Sequence, residues 1–221
     1  MNKFSILEAQ NRYYGGGTPF SNSHRVKSAG GFLDNNKPML DIDMIIYDND
    51  SIKSIVEKKF KAISKMGNIL KDEKSYQRDM LLNTCNMLDA KLFINITSDD
   101  TYYHISNDGI KEYSSKIFTL AKNKYLTYES DDSVFIEYRW RKPAAIMKRM
   151  TDNINIDGLL DKMSKSMNID VFRVDDHSDN TKIKFYKFNN TFIGEVDILQ
   201  NESERYDIEK QWVSVYKKMG I

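Results

Sequence analysis

The sequence predicts an α/β protein with a central mixed sheet flanked by helices, and three observations carry that expectation. Two β-rich runs, residues 40–47 and 51–60, flank the turn-forming Asp48-Asn49-Asp50. A stripe of Gln77, Leu81, Cys85 and Leu88 at helical spacing is followed by the apolar run 91–97. The composition also suits a folded core: of 221 residues, 40% are hydrophobic and 29% charged, with only 10 Gly and 3 Pro. Collagen-like repetition and wholesale disorder are excluded, and the length fits one large or two small domains.

In chain order, residues 3–13 read as a helix, because Phe4, Leu7, Glu8 and Asn11 recur at helical spacing and Gly15, Gly16 and Gly17 end it. Residues 14–38 read as a flexible connection. Its glycines lack the following Gly-Lys-Ser/Thr that a phosphate-binding loop needs. The hairpin 40–60, a helix over 73–88 and a strand over 91–97 complete an α/β plan. Farther on, 134–140 reads as a strand, 154–167 as a helix, the stretch between Ile169 and Leu199 as three strands, and 203–218 as a closing helix. A soft boundary near 125–130 separates a core over 1–127 from an α+β C-terminal region over 128–221, either in the same domain or as an extension of it.

Several function classes drop out. Cys85 is the single cysteine, so no intramolecular disulfide or cysteine-based zinc cluster forms, and a cytoplasmic, reducing setting is expected. The start meets Glu8 before a signal-peptide core builds up, and the longest apolar runs, 44–47 and 144–147, fall far short of the ~20 residues that span a bilayer. With 33 basic and 32 acidic residues the net charge is +1, so nucleic-acid contact would be local. Two stretches can supply it: Lys53, Lys58, Lys59, Lys61 and Lys65 against Glu57, and Arg139, Arg141, Lys142, Lys148 and Arg149 against Glu137. A charge run of this kind is more often a solvated face.

The chemistry concentrates in the hairpin. Strand period two puts Asp41 and Asp43 on one face and Glu57 and Lys59 on one face of the next strand. A three-residue loop centred on Asp50 pairs positions that sum to 100. It sets Asp43 opposite Glu57 and Asp41 opposite Lys59, with Cβ atoms roughly 4.5 to 5.5 Å apart. A shift of the turn centre would move them to a diagonal or to opposite faces. Paired carboxylates repel unless a cation sits between them, and hard oxygen donors suit Mg²⁺. Such a metal steadies charge on a phosphodiester, and Lys59 can orient water or neutralise developing charge beside it.

These residues resemble the PD-(D/E)XK, or restriction-endonuclease-like, nucleases. The matching elements are the acidic strand over 40–46, Glu57-Lys58-Lys59 ending the next strand, and the helix with Gln77, within residues 38–97. The resemblance implies a restriction-endonuclease-like core with an α+β C-terminal extension. It implies Asp43 and Glu57 as ligands of Mg²⁺, with Mn²⁺ able to substitute, and Asp41 competing with Asp43. The Lys58 carbonyl would add a ligand, Lys59 would assist the nucleophile, and Gln77 and Glu8 would stand near the site. No proline directly precedes the acidic residue, Pro38 lying three positions before Asp41.

Context singles out this motif, since Asp72-Glu73-Lys74 and Asp89-Ala90-Lys91 share its spacing but lie at helix ends or loops. Each lesser candidate has an ordinary explanation. Gln77 at a helix start can be solvated, Glu8 follows Ser5 at capping-box spacing, and Cys85 is core. His24, His104 and His177 lack metal-ligand spacing. In the 138–142 run, alternation sets Tyr138 and Trp140 on one face and Arg139 and Arg141 on the other. The expectation is a metal-dependent nuclease acting on DNA, with Lys61, Lys65, Arg139 and Arg141 gripping nucleic acid. It would use no membrane, could act as a homodimer, and its Lys-, Asn- and Ile-rich vocabulary suggests a phage-encoded protein in host cytoplasm. The rivals are an RNA-directed nuclease, a non-catalytic nucleic-acid-binding or protein-interaction module, and a plain hairpin whose charges pair across strands.

Overall fold

The structure, a computed structural model, describes residues 39–64, 67–71, 76–129, 133–139, 142–150, 155–175, 178–179, 181–197 and 204–221. The first described strand, β1 (Met39–Asp41), ends before Ile42 and Asp43, which belong to no strand. Next, β2 (Met44–Tyr47) and β3 (Ile52–Lys59) form an antiparallel hairpin. Asp48 makes the turn: its Oδ1 accepts from the backbone N–H of Asp50 and of Ser51, each at 2.8 Å, and its Oδ2 pairs with Lys53 Nζ at 3.0 Å. The Lys53 hydrogen bond first, then those two N–H groups, hold the Asp48 carboxyl down to about 2. Met44 pairs with Val56, Ile45 with Ile55 and Ile46 with Ser54, the register expected from the sequence. A bulge then sets Tyr47 opposite Ile52.

The small pair β4 (Ile63–Ser64) and β5 (Gly67–Asn68) follows, then helix α1 (Tyr76–Met87) and β6 (Lys91–Ile96). Asp89 turns left-handed at φ 52° and the Ala90 N–H donates to the Cys85 carbonyl at 2.8 Å, so the helix ends there and the chain enters β6. Because β6 runs parallel to β3, α1 is the crossover between them. Hairpin β7 (Thr101–Ser106) and β8 (Gly109–Ser114), helix α2 (Ser115–Lys122) and β9 (Leu126–Glu129) complete this sheet. The sequence reading assigned nothing to that stretch. The order is β8-β7-β6-β3-β2-β9.

The second sheet has the order β1-β10-β11-β12-β13-β14, from β10 (Val134–Arg139), β11 (Lys142–Arg149), β12 (Asp170–Asp175), β13 (Lys182–Lys187) and β14 (Phe192–Asp197). Only its β11–β12 pair is parallel, with helix α3 (Asp157–Met167) between them in sequence. Helix α4 (Arg205–Met219) packs against β14 and ends at left-handed Gly220. Phe135, Met147, Phe172, Phe185, Trp212 and Tyr216 form the core here, with the Phe185 and Trp212 rings edge to face at 5.3 Å. The described chain is thus α/β, with two mixed sheets and four helices, none long and apolar enough to cross a membrane.

Two expectations change. The single strand over 40–47 is two strands in two sheets, because the chain leaves one sheet at Asp41 and joins the other at Met44. The split into a core face and a solvent face expected around Tyr138 fails, since β10 is buried on both faces from Val134 to Tyr138, and the bulge opposite it lies in β11 at Ala144. Of the described residues, those in 39–41, 133–160 and 169–221 form one compact unit and those in 42–129 and 161–168 another, so the division is discontinuous in sequence. The expected helix over 3–13 and connection over 14–38 lie outside the described residues.

Candidate active site

The period-two alternation of β3 puts Ile55, Glu57 and Lys59 on one face and Ser54, Val56 and Lys58 on the other. The second face packs Met44, Ile46 and Val56 against Phe118 of α2, with Phe93 and Tyr102 beside them. The first faces α1, whose Cys85 thiol is hydrogen-bonded to the Ile55 backbone; burial is the main cause that pushes this thiol up to about 12. As the crossover runs back along β3, the first turn of α1 lies toward the C-terminal end of the strand, where Glu57 and Lys59 stand.

Glu57 is the site's defining feature. Its side chain is 2% exposed, yet it carries a carboxylate, and its Oε1 lies 2.5 Å from Lys59 Nζ. Lysine supplies the charge that lets a carboxylate stay in this position, and its stem leaves it 34% exposed at the rim. Asp43 arrives from the other side of the hairpin. Its Oδ2 accepts from the Lys58 backbone N–H at 2.5 Å, which extends the ladder one step beyond Met44 and Val56 with a side chain in place of a carbonyl. Asp43, Glu57 and Lys59 are therefore gathered at one end of β3, with Lys58 between them in sequence.

Other candidates are placed differently. Asp41 is not opposite Lys59: it pairs with Phe135 in the second sheet, because the chain breaks at Ile42 and Asp43. The Lys58 side chain points to the opposite face, where its Nζ donates to Glu129 at 3.1 Å. Lys61 is exposed, its Nζ 5.8 Å from the Phe60 ring. Gln77 is in the first turn of α1, but its side chain lies outside the described residues, as do the Arg139 side chain and all of Glu8, Lys65 and Arg141. The second basic stretch is not a solvated face at Lys148 and Arg149, which are buried. Lys148 Nζ and Arg173 Nη2 clamp Asp157 at 2.9 and 2.8 Å.

Sequence reasoning missed Phe60, 71% exposed directly after Lys59, and Lys111, on the β8 strand that went unread. An aromatic following an acid-x-Lys motif is a visible signal for Phe60. Nothing local signals the place of Lys111, which depends on strand pairing.

The oxygen donors present fit a hard divalent cation such as Mg²⁺, which takes one or two carboxylates and fills its remaining positions with water and substrate oxygens. Asp43 and Glu57 are the carboxylates that would serve such an ion, and Lys59 Nζ lies 2.5 Å from Glu57 Oε1. Among the described residues no group of three or more metal-ligating side chains occurs, so no all-protein cage of the zinc or calcium kind is formed by them. No family model, curated protein or solved structure matches this chain.

Proposed function

We propose that this chain is a divalent-metal-dependent nuclease that hydrolyses phosphodiester bonds in DNA, on a restriction-endonuclease-like core formed by β2, β3, α1 and β6. The observation that carries the reading is the buried Glu57 carboxylate against Lys59, with Asp43 bonded to the amide of the residue between them. The succession of acid-bearing hairpin, crossover helix and parallel strand supports it.

In this reading Asp43 and Glu57 hold Mg²⁺ or Mn²⁺, which supplies charge neutralisation on the scissile phosphate and an acidified water. The chain's own residues do the rest. Asp43 is fixed by the Lys58 N–H, so its carboxylate reaches the site already oriented. Glu57 is held by strand geometry and burial. Lys59, a third exposed, presents an ammonium to the phosphate and the incoming water. Lys61 stands next along the chain for backbone contact.

The test is cleavage of a plasmid and a linear duplex by the purified chain in Mg²⁺ or Mn²⁺. Cleavage should stop with EDTA and fall by at least a hundredfold in Glu57→Gln and in Asp43→Asn, with the circular dichroism spectrum unchanged. Undiminished cleavage in Glu57→Gln sinks the assignment, and an RNA substrate in parallel separates the RNA-directed alternative. One observation favours a second reading, a nucleic-acid-binding module without chemistry: Lys59 Nζ already pairs with Glu57 Oε1. Salt-sensitive DNA binding indifferent to EDTA and to Glu57→Gln, with no cleavage, would establish it.

A further inference from the structure

We propose that Lys91, His104 and Lys111 form a contact surface for the phosphate backbone of DNA on the face of the sheet turned away from Glu57, a surface that stands whether or not the chain cleaves what it holds. The register brings the three groups together. Val56 pairs with Phe93, Phe93 with His104 and His104 with Lys111, so these side chains line up across β3, β6, β7 and β8 on the Val56 face. His104 and Lys111 stand directly opposite each other, with Cβ atoms roughly 4.5–5.5 Å apart. Lys91, two residues before Phe93, is on the diagonal from His104, roughly 7–8 Å away.

The charges here are unanswered. Lys53, Lys59, Lys148 and Lys182 each pair with a carboxylate, whereas Lys91 and Lys111 are exposed and make no ion pair among the described residues. Burial first, then the positive charges of Lys91 and Lys111, hold the His104 imidazole below its ordinary value, so both charges that act on it are cationic. Like charges set this close in a sheet repel, and a phosphate among them removes that cost. The acids of this face stand at its other end, where Asp100 and Glu129 act on Tyr102, and Glu129 is already engaged by Lys58 and Lys122. Glu112 projects from the opposite face, and Asp108 lies outside the ladder in the β7–β8 turn.

The surface is also open and preset. Helix α2 covers the Tyr102 end through Phe118 and leaves Lys91 and Lys111 in solvent. Beneath them is an aromatic floor: the His104 ring lies 5.2 Å from Phe93, Phe93 meets Tyr113 edge to face at 5.9 Å, and Lys111 Nζ sits 5.3 Å from the Tyr113 ring. Side chains held in this way lose less freedom when a ligand arrives. From β6 to β8 the row of donors spans two strand spacings, roughly 10 Å. A DNA strand carries one charge per roughly 3.4 Å of axis, so the row meets successive phosphates, which favours DNA over an acidic protein whose carboxylates follow no fixed spacing.

The experiment is fluorescence anisotropy of a labelled DNA duplex across a salt series, in EDTA so that no metal-dependent cleavage occurs. Wild type is compared with Lys91→Gln, Lys111→Gln, the double variant, His104→Phe and, as a control, Lys217→Gln on α4. The expected result is roughly tenfold weaker binding by the double variant and roughly threefold by His104→Phe, which keeps a ring against Phe93 but loses the N–H donor, with Lys217→Gln unchanged. Each of the two lysines removed should also lower the slope of log affinity against log salt by about 1, which a loss of packing would not do. Absence of duplex binding by wild type, or a double variant with wild-type affinity and salt slope, would overturn the proposal. So would competition by polyglutamate as strong as by unlabelled duplex, since the surface would then suit an acidic protein. Undiminished cleavage by Glu57→Gln would instead sink the nuclease reading and leave this binding result standing. Thermal melts of the variants within about 3 °C of wild type show that folding is not what changed.

Discussion

Replacing Lys59 by Met tests what the buried carboxylate needs. The side chain keeps an unbranched apolar stem out to Cε, but the ammonium 2.5 Å from Glu57 Oε1 is lost while the carboxylate stays 2% exposed. Removing one member of a buried pair costs about 3–5 kcal/mol; because Lys59 is one-third exposed, the lower end, about 3 kcal/mol, is expected here. With a urea slope of roughly 2–3 kcal/mol/M for a chain of this size, the midpoint should fall by about 1 M. Glu57→Gln combined with Lys59→Met should recover about 2 kcal/mol, since position 57 then carries no buried charge that has lost its lysine. A loss under ~0.5 kcal/mol in the single variant, or losses that simply add in the double, would refute the reasoning. Saturating Mg²⁺ sharpens the reading: about a hundredfold above its Kd it should return about 2.7 kcal/mol to Lys59→Met if Asp43 and Glu57 bind metal, and nothing if they do not.

Other outcomes follow from single contacts. Cys85, buried with its thiol pushed up to about 12, should react with a thiol reagent only as fast as the chain unfolds, which urea titration of the labelling rate checks. Burial works to raise the Asp157 carboxyl, but hydrogen bonds from Lys148 and Arg173 outweigh it and leave it below 3.8. A depressed folded value means stability present above 3.8 and lost as pH falls through it, so the gap in Tm between wild type and Asp157→Asn should be full at neutral pH and shrink below 3.8. The Asp48 turn obeys the same sign: the advantage of wild type over Asp48→Ala should fade as pH drops from 3.8 through about 2, read by melts across that range.

Much of the site was legible because its cues are local. Asp48-Asn49-Asp50 is turn chemistry whose side chain completes the loop, but the loop is not the expected three residues centred on Asp50: Tyr47 pairs with Ile52, and the bulge at Lys53 restores the expected pairing of Met44 to Ile46 with Val56 to Ser54. The Gln77 to Leu88 stripe gave α1, and the crossover to β6 followed from a helix between two apolar runs. The β7–β8 hairpin was missed because its residues are half-exposed to exposed, save Ile105, and present little apolar alternation. β11 was missed because it is a buried interior strand whose continuous apolar run shows no period two.

The sequence by itself determined the hairpin and the shared face of Glu57 and Lys59, because turn chemistry and a two-residue period act among neighbours, whereas the register also needed the bulge at Lys53. Tertiary structure alone decided that Asp41 pairs with Phe135 and not with the Lys59 strand. It also decided that Asp43 caps the ladder through the Lys58 amide, that Lys148 is buried against Asp157, and that Lys111 stands opposite His104. Each of these is fixed by a partner remote in sequence or by a break in a strand, and such pairings are selected by burial and hydrogen-bond completion over the whole sheet, to which no local pattern refers.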